Sequence, residues 1–194
     1  VSMADFEEAK DKLLMGKERR TMVQTEDERK KTAYHEAGHA LVSVLLPGTD
    51  PVHKVTIVPR GRALGLMMPL PERDRYGMEK SELESRIAIA LAGRAAEWII
   101  YQNLTTGASD DINKATQTAR AMVCKYGMSE AVGPVSVGDQ SQEVFIGREW
   151  ASHREHSEDT AKLVDGEVRR IINTAMSTAE KLLRDNLDVL HNLA

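Results

Sequence analysis

TAYHEAGHALVSVLL, residues 32–46, is the stretch from which the architecture can be read. It continues a helix whose start is written upstream. Thr25 stands three residues before Glu28, the capping-box spacing. Asp27 and Glu28 lie where the helix dipole favours negative charge. Pro47-Gly48 ends the helix. Inside it, His35-Glu36-Ala37-Gly38-His39 is an HExxH pattern. Residues i and i+4 share one helix face, so His35 and His39 can turn a ring nitrogen to a single ion such as zinc. Glu36 projects beside the pair, placed to hold and deprotonate a water on that ion rather than to bind the ion itself. Gly38 costs about 1 kcal/mol against alanine inside a helix, which implies a close packing contact or a functional geometry. Two other readings compete: a non-catalytic helical oligomerisation domain with a silent HExxH, and a single-chain zinc aminopeptidase acting on short peptides.

Upstream, Ala4 to Met15 reads as a short helix with Phe6, Ala9, Leu13 and Leu14 on one side. Gly16 ends it, and a charged connector follows. Downstream, Val52 to Pro59 alternates β-branched with polar residues and reads as a strand. Arg60-Gly61 is a turn, and Ala63 to Leu70 is a second strand paired to the first, with Pro69 marking an edge. After the polar loop PERDRYG, Met78 to Tyr101 is helical, with Leu83, Ile87, Ala90, Leu91, Ala95, Trp98 and Ile99 on one broad face. A loop from Gln102 to Ser109 leads to a helix from Asp110 to Tyr126. Residues 131–150 are Gly-rich and irregular, with a short strand at Val144 to Ile146. A long helix spans Ser157 to Arg184, and another begins at Asp188. The expected fold class is mainly α with a small β-hairpin or sheet (α+β), including a C-terminal helical subdomain.

In 194 residues, AVILMFWYC make up 41% and charged residues 29%, as in ordinary globular domains. The net charge of −4 argues against nucleic-acid binding, which wants a basic surface. The single cysteine, Cys124, excludes an internal disulfide and any multi-Cys zinc site. The longest apolar stretch, Ala40 to Leu46, falls far short of the roughly 20 residues that span a bilayer. A chain that opens on VSM and closes in mid-pattern on HNLA is expected to be a piece of a longer one.

A catalytic zinc usually takes three protein ligands and a water. One common extension of HExxH needs Gly and His where Val42 and Leu45 stand. Another needs a Glu on the next helix, but no Glu follows His39 before Glu72. His53, His153, His156 and His191 lie in a strand or in the C-terminal third and are poor candidates. Glu97, on the apolar stretch AGRAAEWII, is a better one, because an unpaired carboxylate there would be costly. Asp110 and Asp111, at a helix start after TTGAS, are also candidates, with N-capping as their structural alternative. The residues alone leave all three open.

TAYHEAGHA, DPVHKVTIVPRGRALG, AGRAAE and TTGASDDI, in this order, resemble the proteolytic domain of the FtsH family, membrane-anchored ATP-dependent zinc metalloproteases. The likeness covers nearly the whole chain. It implies a zinc-dependent endopeptidase, with one Zn2+ per chain held by His35 and His39 and with Glu36 as catalytic base. It implies Asp111 as third ligand, the Asp directly before Ile112, with Asp110 in the variable position before it. Glu97 matches an acid that would bond a ligand histidine and fix its tautomer; an ion pair with Arg94 is the structural alternative.

The resemblance also implies transmembrane helices and an ATPase module preceding this region. No GxxxxGK[ST] phosphate loop is present here, so ATP would act only through that module. Residues 1–24 would then be the helix and linker from the ATPase, and 25–194 the protease domain. Polypeptide substrates, a homohexamer, and the cytoplasmic face of a bacterial inner membrane are further implications. Strand physics suggests the substrate contact: an edge strand can accept an extended peptide. Ala63, Leu64, Gly65, Leu66, Met67 and Met68 form that strand, with Gly65 allowing close approach.

Overall fold

The computed structural model describes residues 2–19, 24–60, 63–71, 76–137 and 157–194. Its elements are α1 (Met3–Met15), α2 (Glu26–Leu45), β1 (Val52–Thr56), β2 (Leu66–Pro69), α3 (Lys80–Tyr101), α4 (Ser109–Cys124), α5 (Glu158–Asp185) and α6 (Leu187–Leu193). A short 3-10 turn, Thr106–Ala108, lies within the expected loop before α4. The fold is mainly helical with one small antiparallel sheet, as the sequence implies. The strand expected at Val144 to Ile146 lies outside the described residues.

The capping box that starts α2 forms: the Glu28 N–H donates to the Thr25 hydroxyl at 3.2 Å, and the Thr25 N–H donates to the Glu28 carboxylate at 2.8 Å. At the other end Leu46 turns extended while its N–H still donates to Val42 O. The Thr49 hydroxyl donates to the Ser43 carbonyl at 2.7 Å, satisfying one of the last turn's free acceptors.

Both strands are shorter than the alternation suggests. β1 and β2 pair Lys54 with Met68, Val55 with Met67 and Thr56 with Leu66, with a register shift between Val52 and Lys54. Beyond Thr56 the ladder stops. The Val58 N–H donates to the Thr56 hydroxyl, and Pro59 has no N–H to offer. The Pro59 carbonyl instead accepts from the Arg19 N–H at 2.7 Å. Ala63 forms only an isolated bridge with Arg60, so Ala63, Leu64 and Gly65 precede the strand rather than belonging to it.

α3 is the central element. One face packs Leu83, Ile87 and Leu91 against Met122 and Val123 of α4 and Val164 and Ile171 of α5. The other packs Ala92, Ala95 and Ala96 against Ala37 and Leu41 of α2, Leu183 of α5 and Leu190 of α6. Ile87, Met122, Leu183 and Leu190 are fully buried; each such side chain stabilises the fold by about 1.5–3 kcal/mol. Trp98, expected on the apolar face, is 39% exposed at its margin.

The small residues bring α2 and α3 into backbone contact. A Cβ on Gly38 would fall 2.7 Å from the Ala92 carbonyl oxygen and 2.8 Å from Ala96 Cβ. That close packing accounts for a glycine inside α2. α1 sits differently. Phe6 is 65% and Leu13 86% exposed, so its apolar side is not a core face. It is tied instead by buried Asp11, which bonds Lys54 of β1, and by Arg60, which donates to Gly16 O and the Glu18 carboxylate.

Candidate metal centre

Three donor atoms converge where α2, α3 and the start of α4 meet. His35 Nε2 and His39 Nε2 are 3.0 Å apart, and Asp111 Oδ2 lies 3.2 Å and 3.5 Å from them. The two rings stand nearly perpendicular, 79° between planes. Each ring's other nitrogen is taken: His35 Nδ1 lies 2.7 Å from Glu97 Oε1, and His39 Nδ1 lies 2.7 Å from the Ile89 carbonyl oxygen. Both acceptors favour a proton on Nδ1, which leaves Nε2 as the atom of each ring available to an ion, facing the other ring and a carboxylate. Two imidazole nitrogens and a carboxylate oxygen form a donor set of the kind zinc takes in catalytic sites. Bonds of about 2.0–2.1 Å at tetrahedral angles would put such donors roughly 3.3–3.4 Å apart, so these three residues fit the ion.

The electrostatics agree. Burial disfavours a charged His35 ring, yet the Asp111 and Glu97 carboxylates outweigh it and hold the ring at about 9. Burial also works against ionised Asp111, but the two imidazoles pull its carboxyl below the usual carboxylate range. The cage therefore attracts positive charge.

Glu36 is buried beside this pair, at 7% exposure. Burial pushes its carboxyl up, tempered by His39 and His35, and the Met67 N–H also interacts with it. A Cβ on Gly65 would fall 2.7 Å from Glu36 Cγ and 2.8 Å from Glu36 Oε1. The close approach at Gly65 is thus to Glu36, and the strand expected to receive substrate borders the candidate base.

Glu97 is buried, and its bonded partners are His35 and Thr105 rather than Arg94. The Thr105 N–H donates to Oε2 at 3.0 Å and its hydroxyl to Oε1 at 3.2 Å. Burial raises its carboxyl, but His35 and Thr105 more than offset that and hold it below the ordinary value. Glu97→Ala is expected to weaken zinc affinity by about 10–100-fold, as read by competition with a chelator.

Asp110 is exposed and is not among the three converging groups. Neither aspartate caps α4; its N-cap is Ala108, and both sit in the first turn. Glu7, Asp11 and His53 also come within ligand reach of one another, but Lys54 already pairs with Asp11.

The Ile89 carbonyl and Thr105 are partners that sequence reasoning missed. A backbone acceptor carries no residue signature. Thr105 could have been found as a capping-type residue before Gly107, whose N–H donates to its hydroxyl at 3.2 Å.

A helical domain holding such a donor set beside a buried carboxylate is of the metallopeptidase class. The model of peptidase family M41 matches residues 22–194, and the chain belongs to that family. It is 54% identical over 194 residues to the ATP-dependent zinc metalloprotease FtsH of Magnetococcus marinus, covering 100% of this chain and 29% of that protein. It is 52% identical over 195 residues to the protein of the same name from Caulobacter vibrioides, covering 100% of this chain and 31% of that one. The Acidobacterium capsulatum protein of that name is 50% identical over 194 residues, covering 100% and 30%. The chain thus spans about three tenths of the length of these relatives.

Proposed function

We propose that this chain is a zinc-dependent endopeptidase domain in which His35, His39 and Asp111 hold the ion and Glu36 handles the proton. The convergence of the three donor atoms, with both Nδ1 atoms already committed, carries the reading. Bound there, zinc would polarise the scissile carbonyl and acidify a water. Glu36 takes the proton from that water and later delivers one to the departing amine. Its burial favours proton acceptance, and its position one residue after His35 keeps it beside the ion site. Glu97 and the Ile89 carbonyl hold the imidazoles in orientation, and Thr105 holds Glu97.

Substrate enters as an extended peptide alongside Leu66, Met67 and Met68 of β2, with Ala63, Leu64 and Gly65 leading into it. The silent-HExxH reading is not favoured, because the chain belongs to a peptidase family.

The reading extends to the whole protein. The relatives' names describe ATP-dependent proteases. Residues 1–24 are read as the connection from an ATPase module, and 25–194 as the protease domain. The complete protein is read as a homohexamer at the cytoplasmic face of a bacterial inner membrane, acting on unfolded or delivered polypeptides. Among the described residues no helix is long and apolar enough to cross a membrane.

Casein digestion tests the core of this reading. The expected result is internal cleavage with one zinc bound per chain, abolished by a chelator and restored by zinc. Release of terminal residues alone, or zinc uptake with no cleavage, would overturn it.

A further inference from the structure

α3 passes the two inward-facing imidazoles at Gly93. A Cβ there would fall 2.5 Å from His35 Nε2, 2.6 Å from His35 Cε1 and 2.6 Å from His39 Nε2. Those separations lie far inside the roughly 3.5 Å at which non-bonded heavy atoms attract. Two of the three obstructed atoms are the nitrogens that would donate to the ion.

The backbone gives no reason for a glycine here. Gly93 is not among the positive-φ glycines, Gly16, Gly48, Gly127 and Gly133. Inside a helix glycine is less stable than alanine. The helix contact is met elsewhere, because it is Gly38 whose Cβ would strike the Ala92 backbone. At Gly93 the three nearest obstructed atoms all belong to side-chain rings. Those rings cannot step aside freely. His35 Nδ1 is bonded to Glu97 and His39 Nδ1 to the Ile89 carbonyl, so clearing a methyl group breaks those bonds or draws the Nε2 atoms away from Asp111.

We propose that Gly93 is a positioning residue for the metal: its bare Cα is one wall of the cage, and the missing side chain is the room that both Nε2 atoms need to close on one ion. This rests on the reading of His35, His39 and Asp111 as the metal-holding set. It separates two properties that normally move together. A side chain at this position harms ion binding without harming the helix that carries it.

The test compares Gly93→Ala with the wild-type chain and with Gly38→Ala. Three quantities are read: zinc affinity by competition with a chromophoric chelator, the visible spectrum of cobalt-loaded protein, and the melting temperature without metal. Gly93→Ala is expected to melt within a few degrees of wild type when metal-free. It is expected to bind zinc about 100-fold more weakly or worse, and to lose the cobalt bands of the wild-type site. Gly38→Ala is expected to melt lower. Zinc affinity within threefold of wild type with an unchanged cobalt spectrum would overturn the inference. A metal-free Gly93→Ala destabilised as much as Gly38→Ala would overturn it too, by making Gly93 a packing residue. Wild-type protein that takes up no zinc would instead bring down the reading of the site itself, and this inference with it.

Discussion

Glu36→Gln will keep zinc bound and lose peptide hydrolysis by about three orders of magnitude. The amide has the size and shape of the carboxylate, so the contacts with Gly65 and the packing around the two histidines survive. It cannot accept a proton. Positioned acid–base groups contribute about 10²–10⁴-fold, and Glu36 serves both halves of the transfer, first from water and then to the amine. The environment is built for that task, since burial raises the carboxyl while the neighbouring imidazoles keep it from rising freely. Zinc stoichiometry and casein turnover, measured on one preparation, check the prediction. Turnover near wild type would remove Glu36 from the chemistry, and loss of zinc would mean that it holds the ion.

The second large effect separates two adjacent aspartates. Asp111→Asn is expected to weaken zinc binding by more than the roughly 10–100-fold that losing a group bonded to a ligand costs, because it removes the only anionic donor among the three converging atoms. Asp110→Asn is expected to leave zinc affinity within twofold, since Asp110 is exposed. Both residues lie in the first turn of α4, where a negative charge is worth about 0.3–1 kcal/mol. The two variants should differ sharply in metal affinity, and Asp111→Asn should also lose more metal-free stability than Asp110→Asn, because it gives up the contacts with His35 and His39. Chelator competition and thermal melts on the pair check this, and the opposite order of zinc losses would transfer the role to Asp110.

Much of α2 was legible because its signals are local. The Thr25–Glu28 box, the HExxH spacing and Pro47-Gly48 each act within a few residues, and the helix forms over Glu26–Leu45. The hairpin was legible in kind but not in extent. Alternation of β-branched residues continues to Val58, while the hydrogen bonds stop at Thr56 because Pro59 offers no donor and Arg19 claims its carbonyl. Choosing among Glu97, Asp110 and Asp111 needed the crossing of α2 and α3 and the placement of the α4 start. No residue-level pattern encodes that; only the family resemblance singled out Asp111. The structure places Glu97 on the far nitrogen of His35, not on the near one. Trp98 follows the apolar period yet lies at the edge of the core, because periodicity gives a face and not the limits of what covers it. Gly93 stayed invisible for the same reason. Helical pattern marks a small residue on an apolar face, but only the fold shows that two ring nitrogens stand against it.

Both imidazoles are anchored by protein groups, through Glu97 and the Ile89 carbonyl, without any help from an ion. The entropy of orienting them is therefore lost while the chain folds, and little remains to be lost at loading. Chelation should strip such a domain without melting it, and reloading should be fast and complete, as for a socket rather than a knot tied by its own cargo.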